Sequence, residues 1–464
     1  MKSKIFPFLV LAALSWTAAA PAAESANEPI ASGLSHLVIS RGEVANGKSY
    51  RILLGTFESQ SEADRLLQRM RENGFAAIPT ADGTRYRIVT PGLPQLTDAE
   101  DLKARLIDLG FPPPLEIQEI GQDLTHDNGP WMIHVLEADP KLIEIRVAHA
   151  YDAAIGLETT ADLAERHGAL AAVNGGFFLM TGLLAGDSQG TLVMDGRVLS
   201  EPDRGRATIG FYSADGSTRA VVGRLSFRGD IRFGDGTVVP IDGINRARQA
   251  SEIVLFTPEF HRTTLTAPGG AEIIVENGRI AEIRDGGGSS TIPPSGMVLS
   301  IGSDRFEQIR PHVRPGAPVA VDTKLISLLP DPEGAWERAE GIASAGPLLL
   351  WNGKRIEEPE KESISNVFFL ARHPRTAAGV RADGTLVFVT VDGRQPETSI
   401  GMSIPELTDL MLELGCVSAM NLDGGGSTTM VVNGQVVNSP SGSSPRRNAD
   451  AVLLFPAKPG TVSN

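Results

Sequence analysis

Seven of the chain's Asp-Gly and Asn-Gly pairs stand between short apolar runs, at Asp195-Gly196, Asp215-Gly216, Asp235-Gly236, Asn277-Gly278, Asn352-Gly353, Asp383-Gly384 and Asn433-Gly434. Each pair tolerates the positive φ of a tight hairpin turn, so a series of them commits the polypeptide to short antiparallel strands. The 50 Gly and 31 Pro point the same way and exclude a helical bundle. Helical periodicity is confined to short stretches. Pro405 to Leu414 is the clearest, with Ser403 as a cap, and Ala161 to His167 leads into a strand at Ala169 to Val173. Trp131 to Leu136 and Leu142 to Ala148 read as paired strands around Asp139-Pro140. The expectation is a sheet-rich α+β domain over residues 121–458.

Export is expected. Lys2 and Lys4 precede an apolar run from Ile5 to Trp16, and small residues from Ala18 to Ala23 offer cleavage sites, so residues 1–23 read as a signal peptide. Cleavage after Ala22 removes two Lys and moves the formal charge from −14 to −16. No later stretch is long and apolar enough for a membrane span. The acidic balance carries no basic stripe, which argues against nucleic acid as a partner. Cys416 is the single cysteine and cannot form an internal disulfide; it reads as a buried small hydrophobe at a helix end. Periplasm or cell envelope of a Gram-negative bacterium is the expected location.

Residues 24–47, rich in Ser, Ala and Gly, read as a tether. An internal repeat follows at an offset of 36: Tyr50-Arg51-Ile52 recurs as Tyr86-Arg87-Ile88, Leu66 as Leu102, and Gly74-Phe75 as Gly110-Phe111. Ala63, Leu66, Leu67 and Met70 share one helical face. Two such units give β-α-β-β-α-β, a ferredoxin-like sheet with both helices on one side. Residues 48–120 resemble the SPOR domain, carried by Tyr50 to Phe57, Ala63 to Met70 and Gly74-Phe75. The resemblance implies peptidoglycan binding on the exposed sheet face, with Tyr50, Arg51, Phe57, Tyr86 and Arg87 as candidates.

The chemistry-bearing segment is Asn421-Leu422-Asp423-Gly424-Gly425-Gly426-Ser427. Three glycines before a strand cost backbone entropy and contribute no packing; such a loop suits close approach to a ligand, with N–H groups for an anion. Asp285-Gly286-Gly287-Gly288 has nearly the same letters but sits in an exposed connection and reads as a turn. Asn174-Gly175-Gly176-Phe177-Phe178, Asn245-Arg246, Pro374-Arg375-Thr376-Ala377, Asp392-Gly393-Arg394 and Asn438 with Pro440-Ser441 stand in order around the later copy. Together these motifs resemble the phosphodiester glycosidase family, of the N-acetylglucosamine-1-phosphodiester alpha-N-acetylglucosaminidase type. One departure is Ser439, where family members commonly carry Arg; Arg446 or Arg447 is placed to compensate.

That resemblance implies hydrolysis of a sugar joined through its anomeric carbon to a phosphodiester, leaving free sugar and a phosphomonoester. A phosphate leaves as an anion, so a positioned cation can replace a strong acid, while a carboxylate steadies an oxocarbenium-like sugar. The expected roles are Asp423 as that carboxylate and Arg375 as a bidentate phosphate clamp, with Arg394 or Arg246 as second donor. Asp392 is a further catalytic candidate, standing equally well as a hairpin turn. The N–H groups of Gly424 to Gly426 would cradle oxygens, Asn174 and Asn421 would bind sugar hydroxyls, and Gly175, Gly176, Ser427 and Asn438 complete the candidate lining. No cofactor is evident; the 8 His show no ligand spacing, although oxygens about Asp423 could hold a divalent cation such as calcium. The competing readings are a non-catalytic cell-wall glycan binder and a metal-dependent phosphodiesterase or ordinary glycosidase.

Overall fold

The computed structural model describes residues 24–43, 48–82, 85–112, 115–120, 129–331 and 333–457; the signal segment lies outside them. The architecture is α+β and strand-rich, as the turn signals require. Five of the seven dipeptides hold both residues at positive φ between adjoining strands: Asp195, Asp215, Asn277, Asn352 and Asn433, each followed by its glycine.

Residues 24–47 are not a tether throughout. Glu24–Ala31 (β1) and Leu34–Arg41 (β2) form a hairpin, and β2 pairs antiparallel with Trp131–Ala138 (here β7) along its whole length. The physical reason is alternation: Leu34 is 2% exposed and belongs to the main core. Between these neighbouring strands the chain makes the entire small module: β3 (Ser49–Phe57), α1 (Gln60–Glu72), β4 (Ile78–Asp82), β5 (Arg85–Val89), α2 (Leu96–Asp108) and β6 (Glu116–Ile120). Its sheet runs β4-β5-β3-β6, the order expected of β-α-β-β-α-β. The module is therefore an insertion in the larger sheet, and that sheet begins at residue 24 rather than 121.

Within the module, Ile52, Leu54, Ala63, Leu67 and Met70 make the core. Phe57 and Tyr86 pack against that core, on the side of the helices, so neither belongs to the opposite sheet face. Tyr50 is half-buried at the edge, exchanging backbone hydrogen bonds with Leu93. Arg51 and Arg87 both donate to Gln118 Oε1, at 3.3 and 3.4 Å, which places them together on the other face.

The central sheet has the order β1-β2-β7, Leu386–Val391, Arg375–Arg381, Cys416–Asn421, Leu348–Trp351, Lys354–Arg355. Helix Ile404–Glu413 covers one face; Ser403 and Glu406 form a capping box at its start. Strand Ile143–His149 (β8) does not pair with β7 as expected. It leaves the sheet after Asp139-Pro140 and joins a second sheet with Asp450–Pro456, Ala171–Asn174 and Met430–Val432. Cys416 is buried but opens a strand, because Gly415 at φ 81° ends the helix before it. Among the described residues no helix is long and apolar enough to cross a membrane.

If residues 24–41 were a tether, Leu34→Ala would be silent. We expect it to cost about 2–5 kcal/mol in urea unfolding, the range for a buried Leu.

Candidate active site

Asp423 stands where strand Cys416–Asn421 gives way to the glycine loop. Its backbone is held from two sides: the Asp423 N–H donates to Gly175 O at 2.9 Å, and Asn174 Nδ2 donates to Asp423 O at 2.7 Å. The carboxylate accepts from the Gly424 N–H at 2.9 Å. Burial pushes its pKa up to about 6, against the pull of the Ser427 hydroxyl, of that N–H and of the Arg446 charge.

A second carboxylate lies beside it. Asp450 opens the last strand, is 2% exposed, and accepts from the Gly176 N–H at 2.7 Å. Burial pushes it up to about 7, the Gly176 N–H opposes, and the Asp423 charge raises it further. The two glycines are explained by this carboxylate. A Cβ on Gly175 would overlap Asp450, and one on Gly176 would overlap the Ser344 carbonyl. Sequence reasoning missed Asp450 because it sits in no glycine motif; the available signal was one carboxylate in the otherwise apolar run Ala449 to Phe455.

Two guanidinium groups close over the loop. A Cβ on Gly425 would lie 3.2 Å from Arg394 Nη2, and one on Gly426 would lie 2.5 Å from Arg446 Nη2. Arg394 donates to His373 Nδ1 at 3.3 Å, and burial holds that histidine near pKa 3, hence neutral. Arg446 reaches Met180 Sδ at 3.7 Å. Among the described residues neither guanidinium pairs with a carboxylate within ion-pair distance. Burial and the Arg446 charge depress the Arg394 pKa, so the two cations repel and together favour an anion between them.

Several expected roles change. Arg375 is not a phosphate clamp: it is wholly buried, with Nε donating to Met402 O at 2.8 Å and Nη2 to Phe368 O and Ala371 O at 2.9 and 2.7 Å. Its neighbour Thr376 points to the site, bonding Asn174 Oδ1 at 2.7 Å, and strand alternation turns Arg375 to the other face. Only the backbone at 374–375 meets the loop, through Gly425 N–H to Pro374 O at 2.8 Å. Arg246 is also elsewhere, engaged by Glu201 and Glu252.

Asn174 and Asn421 are fully buried and bond neighbouring chain, with Asn421 Oδ1 left without a partner. Asn174 Oδ1 accepts from Thr429 N–H at 3.1 Å as well as from Thr376, and Asn421 Nδ2 donates to Gly346 O and Leu422 O, both at 2.6 Å. Asp392 is likewise a strut, accepting from Asn438 Nδ2 and the Ser439 N–H, both at 3.0 Å. Asn438 in turn takes the Met430 N–H at 2.8 Å. The N–H groups of Gly424 and Gly425 are not an open cradle, since Gly424 binds Asp423 and Gly425 binds Pro374, while Ser427 and Thr428 bind back to Gly424 and Gly425. Among the described residues no three His, Cys, Asp or Glu side chains converge as for a metal.

Residues 269–455 match the family model described as phosphodiester glycosidase, and residues 46–118 match the SPOR domain. The chain carries a phosphodiester glycosidase domain and a SPOR domain. SPOR domains bind peptidoglycan, and the match suggests association with the cell envelope. The N-acetylglucosamine-1-phosphodiester alpha-N-acetylglucosaminidase of Bos taurus is 38% identical over 85 residues, which is 18% of this chain and only 16% of that enzyme. An uncharacterized protein of Rickettsia conorii, RC0079, is 27% identical over 236 residues, 50% of this chain and 77% of its own. The crystal structure of a putative exported protein from Burkholderia pseudomallei superposes with a TM-score of 0.70 at 25% identity, covering 94% of this chain and 96% of that one.

The raised carboxylates predict a pH signature in the phosphodiester glycosidase domain. A carboxyl whose folded pKa is above its unfolded value favours the fold while protonated, and that contribution is lost as pH rises from about 4 through 6 to 7. Asp423→Asn should therefore unfold at a higher temperature than the parent at pH 8. The gain should shrink towards pH 4 in thermal melts followed by circular dichroism.

Proposed function

We propose that the larger domain hydrolyses a sugar-1-phosphodiester, of the GlcNAc-1-phosphodiester type named for its relatives, in the bacterial envelope. The observation that carries this reading is the pair of guanidinium groups without carboxylate partners, Arg394 and Arg446, set against Gly425 and Gly426 beside two electrostatically coupled carboxylates. A phosphodiester supplies what that arrangement lacks: a negative group between the cations, with an anomeric carbon next to the acids.

In this reading Arg394 and Arg446 hold the phosphate and take up the charge that develops as the C1–O bond breaks, so the leaving group needs little protonation. Arg446 fills the place vacated by Ser439. Asp423 and Asp450 divide the remaining work. The deprotonated carboxyl faces the oxocarbenium-like carbon or the incoming water, while its protonated neighbour donates a hydrogen bond; proximity of like charge sets the two pKa values apart. Arg375 acts through others, fixing the chain that delivers Pro374 to the loop. Export to a periplasm, with the SPOR module on glycan strands and Arg51 and Arg87 as the contact face, completes the proposal.

The test is turnover of a GlcNAc-1-phosphodiester with product analysis. Free sugar plus phosphomonoester is expected; sugar phosphate would instead indicate a phosphodiesterase, and no turnover with intact glycan binding would indicate the non-catalytic reading. Asp423→Asn and Asp450→Asn should each lower kcat by at least about a hundredfold. Arg394→Ala and Arg446→Ala should lower kcat/KM by roughly 10- to 150-fold, equivalent to one lost charge-assisted contact of about 1.5–3 kcal/mol. Wild-type rates in both Asp variants would remove the mechanism.

A further inference from the structure

The Asn245-Arg246 motif, which the reaction centre does not use, builds a second cleft. Arg246 is clamped by Glu201 and Glu252 and donates to Asp242 O at 2.9 Å, fixing one wall. The opposite wall is Asp187-Ser188-Gln189, which folds back on Phe177 to Leu179 just beyond Gly176; Gln189 N–H donates to Phe177 O at 2.7 Å. One layer of backbone thus separates this cleft from the segment that carries Asp450's partner.

The cleft has a volume of about 930 Å³. Two of its side chains are buried and lack partners. Asp187 is 6% exposed, and its carboxylate accepts no hydrogen bond among the described residues. Ser188 is 8% exposed, and its Oγ has no partner. Ser188 Oγ is closed off from solvent, so the unpartnered group that reaches the cleft is the Asp187 carboxylate, and it marks a cation's place. Burial and the nearby Glu201 charge push Asp187 up to about 7, consistent with an acid held short of a cation. Five carboxylates against two guanidinium groups, Arg204 and Arg246, line the cleft, a formal −3 that repels the anion attracted to Arg394 and Arg446. Phe227 adds an apolar surface of the kind that takes the face of a sugar ring.

We propose that this cleft binds a sugar bearing a protonated primary amine, with the ammonium on Asp187 and the ring against Phe227. The enzyme then holds an amino-sugar residue of a glycan beside, and separate from, the phosphodiester it cuts.

Calorimetric titration of the protein with glucosamine, N-acetylglucosamine and propylamine tests this. Glucosamine should bind at least about tenfold more tightly than the other two, about 1.4 kcal/mol. Asp187→Asn should abolish that preference and Phe227→Ala should weaken glucosamine binding, while Asp423→Asn leaves it unchanged. Asp187→Asn removes an uncompensated buried charge, so its thermal midpoint should not fall. Equal binding of N-acetylglucosamine, equal binding of propylamine, unaltered binding by Asp187→Asn, or loss of binding in Asp423→Asn would each overturn the assignment. The readout needs no turnover, so it fails or stands separately from the proposed hydrolysis.

Discussion

One buried amide holds the candidate site together. Asn174 donates to the Asp423 carbonyl and accepts from the Thr376 hydroxyl and the Thr429 N–H. It thereby joins the end of strand Ala171–Asn174 to strand Arg375–Arg381 and to both sides of the glycine loop. These strands belong to two different sheets, so the amide sets the distance between them. With every polar atom satisfied, it fixes the loop without competing for ligand. The glycines 175 and 176 follow from the same closeness, since only a residue without Cβ lets Asp450 approach Asp423.

Charge is partitioned across that framework. The loop side carries the cations Arg394 and Arg446, and the cleft beyond Phe177 carries an acidic excess. Arg375 and Asp392 show that burial alone is no mark of reactivity. Each is spent on neighbouring chain: the guanidinium on three carbonyls, the carboxylate on Asn438 and Ser439. A buried charge held by neighbouring chain is a strut, and Arg375 is one even though its Nη1 is left without a partner.

The local turns, the capped helix and the repeated module were legible because their signals are short-range: φ-tolerant pairs, a capping residue, an offset of 36. Pairing was less so. β7 and β8 look like a hairpin in sequence yet enter different sheets, since partners more than 200 residues away bury their apolar faces better. Asp423 was readable from its glycines. The direction of Arg375 was not, because one residue of strand register decides which face a side chain takes, and the motif letters carry no register. Asp450 became visible only when the fold brought residue 176 against it.

The insertion of the SPOR module between β2 and β7 has a mechanical consequence. A module hung on one linker swings freely and can be lost to a single nick; one entered and left through adjacent strands is hinged at both ends. Asp64 on α1 also accepts from the Val367 N–H at 2.9 Å, docking the module on the helix whose carbonyls grip Arg375. Anything gripped by such a module would meet the larger domain at a set height and angle, as a workpiece in a vice meets the tool.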